Sequence, residues 1–246
     1  MIVGGLPVWV WPGVALVAAL YGSVGHGGAS GYIALLVLAG VAASQVAFPA
    51  LALNLIVAGL AAWNFHRAGH LRWSLLWPFA VTSVPMAFLG GAWRLPPHVY
   101  RIVLGLTLLA GAARFLLLRQ EVAARPLPVR FSVIGPLMGA VLGFVSGLVG
   151  VGGGIFLSPL LLILGWADAK QTAAVSALFI WVNSLAGIIA RQATGRADWQ
   201  LVPLLVVAVL MGGALGSWLG AHRIPRLALQ RLTGGVLLTA SVKLLW

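Results

Sequence analysis

Residues Gly147–Gly165 read GLVGVGGGIFLSPLLLILG, six glycines in nineteen residues. The sequence on either side is almost unbrokenly apolar. A glycine in a helix interior costs about 0.5–1 kcal/mol relative to alanine. A run such as Gly150–Gly154 therefore breaks the helix it falls in. The apolar segment that carries it, Phe131–Leu164, is too long for one upright spanning helix and too short for two, since a span takes about 20 apolar residues. Two half-helices joined at the glycines fit the length. Such a break is tolerated at membrane depth only where protein or a water-filled cavity surrounds it.

The rest of the chain belongs to the same class. Its 246 residues are 61% hydrophobic and 7% charged, and no soluble domain covers so apolar a chain with so little polar surface. The expected fold class is all-α, a polytopic membrane protein. Further apolar runs lie at Trp11–Leu38, Val46–Phe65, Ser74–Gly91, Val99–Leu118, Thr172–Ile189, Leu201–Gly220 and Leu232–Trp246. Trp9, Trp11, Trp73, Trp77, Trp93, Trp199 and Trp218 fall near run ends, as an interfacial belt would. The first residues, MIVGGLPVWVWPG, lack the basic region of a cleaved signal peptide. Absence of cysteine excludes disulfides and thiolate metal sites. The net charge of +12 comes from lysines and arginines that fall mostly in loops; it sets topology and meets lipid headgroups, and nucleic acid is not an expected partner.

A shift of 125 residues lays GSVGHGG (Gly22–Gly28) on GLVGVGG (Gly147–Gly153). With small slippage Gly69-His70-Leu71-Arg72-Trp73 lands on Gly195-Arg196-Ala197-Asp198-Trp199, and Arg94-Leu95-Pro96 on Arg223-Ile224-Pro225. The chain reads as two repeats, 1–118 and 131–246, with a cytoplasmic linker at 119–130. If both long segments dip in and return, ten of the fifteen lysines and arginines share the linker's side. These are Arg67, Arg72, Arg114, Arg119, Arg125, Arg130, Lys170, Arg223, Arg226 and Arg231. If both segments cross once, the split is nine to six. The positive-inside rule prefers the first arrangement, which makes the repeats inverted.

In that arrangement Ser30 and Ile155 open second half-helices whose N–H groups point inward. A helix N-terminus carries roughly +0.5 charge and binds anions. The expected anion site is built on Gly25, Gly27 and Gly28 and on Gly150, Gly152, Gly153 and Gly154. Isolated glycines elsewhere are read as close helix packing. Polar residues at the same depth are His26, Ser30, Asn54, Ser176 and Asn183, with Ser184 beside the last and Trp181 as a pocket wall. Ser158 and Pro159 follow the second glycine run, Pro159 shaping the half-helix. Arg191 is read as interfacial, and His66, His70 and His98 as loop-end residues. No His, Asp and Glu grouping has metal-ligand spacing, and no cofactor is expected. Glu121, Asp168 and Asp198 are the only acids, all in loops or at interfaces, so a carboxylate relay inside the membrane is not expected. A rival from another class is an intramembrane hydrolase using Ser23 or Ser30 with His26. A rival within transport is an importer or channel for another small anion. Monomer and homodimer both fit, because an outer apolar face simply meets lipid.

GLVGVGGGIFLSPLLLILG, followed by AVSALFIWVNSLAGII (Ala174–Ile189) and GRADW, resembles the TauE/SafE sulfite exporter family. The first half departs from the pattern, with His26 in the glycine run and Ala29 where the second copy has Gly154. The resemblance implies a cell-membrane exporter of small sulfur-containing anions, sulfite or organosulfonates, with no enzymatic activity.

Overall fold

The computed structural model describes residues 2–3, 5–117 and 126–222, together with 238, 241–242 and 245. Most of the linker expected at 119–130, with Glu121, and most of the last apolar run lie outside the described residues. A short antiparallel hairpin, β1 (Ile2–Val3) and β2 (Leu6–Pro7), precedes nine helices among the described residues. These are α1 (Val10–Ser23), α2 (Ala29–Leu38), α3 (Ala47–Arg67), α4 (Trp73–Ala92), α5 (Pro97–Leu117), α6 (Phe131–Val149), α7 (Gly154–Ile163), α8 (Ala169–Ala193) and α9 (Leu201–His222). The chain is an all-α membrane protein: α3, α4, α6, α8 and α9 are each long and apolar enough to cross a bilayer.

Both oversized segments break at their glycines and double back. Leu35 of α2 lies against Gly13 of α1, and Gly31 against Val17. The numbers run in opposite senses, so α1 and α2 form a hairpin with residues 24–28 at its tip. In the second hairpin Phe131, at the start of α6, stacks edge-on with Trp166, just past α7, at 5.2 Å between centroids. Its tip is residues 150–153.

The two halves interleave around α3 and α8, which cross antiparallel. Leu51 meets Gly187, Asn54 meets Ser184 and Gly59 meets Trp181. On one flank α4 runs parallel to α6, with Gly139, Gly143 and Gly147 seated on the backbone of Phe79, Ser83 and Ala87. On the other α9 runs parallel to α1, with Gly212, Gly216 and Gly220 seated on Ala15, Ala19 and Ser23. Exchanging α1 with α6, α3 with α8 and α4 with α9 leaves this set of pairings unchanged. Without a hydrophobic force between helices in lipid, such small-residue faces gain their energy from close packing of backbones. That gain offsets the helix cost of glycine at these positions.

The ends are held by arginines bonded to backbone carbonyls. Arg94 donates to Thr194 O at 2.8 Å, and Arg196 to Trp93 O and Gly91 O. At the opposite end Arg72 reaches Trp166 O and Gln171. There α8 starts with a capping box, in which the Asp168 carboxylate accepts from the Lys170 and Gln171 backbones. Loops 68–72 and 194–200, matched to each other by sequence, therefore sit at opposite ends of the molecule. Trp9, Trp63, Trp73, Trp77, Trp93, Trp199 and Trp218 are exposed.

Candidate functional site

The loop backbones need glycine. Gly28 and Gly153, immediately before α2 and α7, hold φ of +97° and +86°; Gly25, Gly150 and Gly152 are also left-handed. An L-residue costs about 1–2 kcal/mol more there. These turns reverse the chain and open two helix N-termini inside the protein.

Asn54, in mid-α3, bonds the start of α2 and α8 and packs against the second loop. Its Oδ1 accepts from Ala29 N at 3.0 Å, and its Nδ2 donates to Ser184 Oγ at 2.8 Å. A Cβ on Gly27 would overlap the Asn54 amide; one on Gly152 would overlap it from the other side and come within 2.7 Å of Ser184 Oγ. The amide is thus clamped between residues of both halves. His26 makes a second bridge. Its Nδ1 lies 3.1 Å from Val24 O. Its Nε2 lies 3.0 Å from Ser158 Oγ. Ser158 Oγ lies 2.8 Å from Ser176 Oγ. Ser30, at the start of α2, pairs with Tyr21 OH at 2.9 Å.

The structure thus gathers Gly25, His26, Gly27, Gly28, Ser30, Asn54, Gly152, Gly153, Gly154 and Ser176 into one buried region, with Gly150 packed on Ala47 beside it. Asn183 is buried too, but its Nδ2 is spent on Phe179 O at 2.9 Å, leaving Oδ1 without a partner. As oriented it offers a free acceptor in Oδ1. Trp181 is not brought to the loops. It lies against Gly59 and lines, with Trp63, His66 and Trp73, an open cavity of about 370 Å³. The serines of the hydrolase reading are engaged elsewhere: Ser23 Oγ donates to Leu20 O, Ser30 pairs with Tyr21, and it is Ser158 that meets His26.

Among the described residues, other buried polar atoms without a partner are Tyr32 OH, Ser146 Oγ, Thr172 Oγ1 and Arg191 Nη1. Such atoms are rare. Here Tyr32 faces Gly28, Ser146 lies beside Gly153, and Thr172 and Arg191 lie on α8. Arg191, read as interfacial, is buried within the protein in the last turn of α8, 4% exposed. Its position near the end of an apolar run gave no sign of the packing by α4 and α6 that covers it. Close by, Tyr100 OH donates to Val149 O at 2.8 Å. In the loop beyond α8, burial and then the neighbouring Arg94 charge lower the pKa of Arg196.

Against this geometry the likeness to known proteins can be set. A family model described as "Sulfite exporter TauE/SafE" matches residues 10–244. The chain belongs to the TauE/SafE family. The match takes in both glycine loops and every residue of the buried region. The chain is 37% identical over 236 residues to a Sinorhizobium fredii protein named "Probable membrane transporter protein y4hK", covering 94% of this chain and 95% of that one. It is 26% identical over 245 residues to "Probable membrane transporter protein YjnA" of Bacillus subtilis, covering 93% and 96%. No solved structure matches this TauE/SafE chain.

Proposed function

We propose that this protein carries small sulfur oxyanions, sulfite or an organosulfonate, out across the cell membrane. On this reading residues 1–118 and 131–246 are inverted repeats joined by a cytoplasmic linker, and the anion passes where their glycine loops meet. The observation that carries the proposal is the meeting of the two loops at one buried point, where Asn54 bonds the first loop and packs on Gly152 of the second and His26 of the first loop pairs with Ser158 of α7, each loop opening a helix N-terminus there. Two positive helix ends favour an anion. Inversion is supported by the antiparallel crossing of α3 and α8, the parallel flanking pairs, and the opposite placement of the matched loops 68–72 and 194–200.

Two further points fit export. Asp168 is spent on capping α8, and Asp198 accepts from Gln200 N in a loop, so neither serves as an intramembrane proton carrier. An inside-negative potential by itself favours anion exit by about 2.3 kcal/mol per charge per 100 mV. Transport rather than hydrolysis suits the Ser158–His26 pair, which ties one half to the other. Proteoliposomes loaded with sulfite provide the test. Saturable efflux that rises with interior-negative potential and is slowed by an organosulfonate is expected. Efflux no faster than from protein-free liposomes would overturn the proposal.

A further inference from the structure

Arg191 is a buried cation that the packing does not account for. Its Nη2 donates to Leu148 O at 3.3 Å, near the C-terminal end of α6. Its Nη1 has no partner. Among the described residues no carboxylate contacts it. A carbonyl cap needs one donor, and a guanidinium brings five, in a fork matched to oxyanions.

Glycines on two helices pack against the buried Nη1. An ideal Cβ on Gly91 of α4 would lie 3.2 Å from it, and one on Gly187 of α8 3.6 Å from it, so two glycines border the group where side chains would otherwise crowd it. Helical side chains lean toward their own N-terminus. The guanidinium accordingly sits at the level of Gly187, one turn below Ser184, which bonds Asn54 and faces Gly152. It thus stands beside the second glycine loop, toward the end of the molecule where Arg94 and Arg196 lie. The position equally far from the end of α3 is Phe65, buried and apolar. Among the described residues the first loop has no such cation.

We propose that Arg191 is the charged ligand of the transported oxyanion, binding it through Nη1 on the Arg94–Arg196 side of the second glycine loop. This rests on the anion-transport reading above. An ionisable side chain held inside a membrane protein without a counter-ion marks a substrate path, and the oxyanion is the missing counter-ion.

The test is sulfite binding to purified protein, with R191Q and R191K. Glutamine keeps a neutral donor for Leu148 O; lysine keeps the charge. R191Q is expected to weaken sulfite binding at least tenfold with its anion-free melting midpoint unchanged, and R191K to stay within about tenfold of wild type. Wild-type affinity in R191Q overturns the inference and leaves the transport reading standing. No sulfite binding by the wild type overturns both. Arginine-selective 15N NMR on the wild type provides a reading free of folding effects. Sulfite should shift the Arg191 guanidinium resonances and leave those of Arg72 in place. Unmoved Arg191 resonances at saturating sulfite also overturn the inference.

Discussion

The two glycine loops share left-handed turns at Gly25 and Gly150 and at Gly28 and Gly153 but not an environment. In the first, residues 24–28, the helix end is already occupied: Asn54 Oδ1 takes the Ala29 N–H, Ser30 pairs with Tyr21, and His26 reaches across to Ser158. In the second, residues 150–153, no side-chain cap closes α7; Asn54 and Ser184 pack against Gly152, the unpartnered Ser146 Oγ lies beside Gly153, and Arg191 Nη1 stands unpartnered nearby. Two related turns therefore serve two purposes. The first loop is a built joint that holds the halves together. The second leaves donors and a positive charge unspent, and on the proposed reading the anion meets those.

The largest effect should come from filling the joint. Gly152→Val puts a side chain at a φ of +73°, into the space of the Asn54 amide. Backbone strain and overpacking together should cost about 3–5 kcal/mol and abolish sulfite flux. Gly40→Ala is the control, since Gly40 has a φ of +95° but nothing within 4 Å. It should cost about 1–2 kcal/mol and leave flux intact. Thermal melts in detergent with parallel flux assays decide this. Equal loss in both would mean that loop shape alone matters.

Next in size is the contrast of the two asparagines. Asn54→Ala strands the Ala29 N–H and loses the bond to Ser184, and should destabilise by about 2–3 kcal/mol. Asn183→Ala gives up one bond to a helix carbonyl and removes an unpaired oxygen, so it should cost under about 1 kcal/mol. The reverse order in denaturation would break the distinction between an occupied and an open loop.

A smaller effect is the coupling of His26 to Ser158. A double-mutant cycle of His26→Ala and Ser158→Ala should show about 1 kcal/mol of interaction, and additivity would mean that the bridge holds nothing together. The smallest effect belongs to Trp181. Because it lies in the open cavity by Gly59, Trp181→Ala should leave sulfite flux within about twofold of wild type. A tenfold loss would bring that cavity into the path.

Much of this architecture was legible in the chain because glycine breaks are local. The runs Trp11–Leu38 and Phe131–Leu164 divide at Gly25–Gly28 and Gly150–Gly153, where the sequence placed the breaks. Glycines spaced by four, such as Gly139, Gly143 and Gly147, announce a packing face, but not that Phe79, Ser83 and Ala87 fill it. The pairing of His26 with Ser158 joins residues 132 apart, and no periodicity carries that information. The burial of Arg191 lay out of reach for a similar reason. A charge at the end of an apolar run ordinarily meets headgroups, and only the approach of α4 and α6 buries it. Trp181 sits in mid-helix, which told its depth but not its azimuth, and its face turns to Gly59.

The account stands most directly on where the anion sits. Crystals of the protein grown with selenite, a heavier analogue of sulfite, locate it by anomalous scattering. An anomalous peak beside the second glycine loop, within hydrogen-bond reach of Arg191 Nη1, is the result predicted. A peak confined to the Trp63–Trp73–Trp181 cavity, or none at saturating selenite, would contradict it.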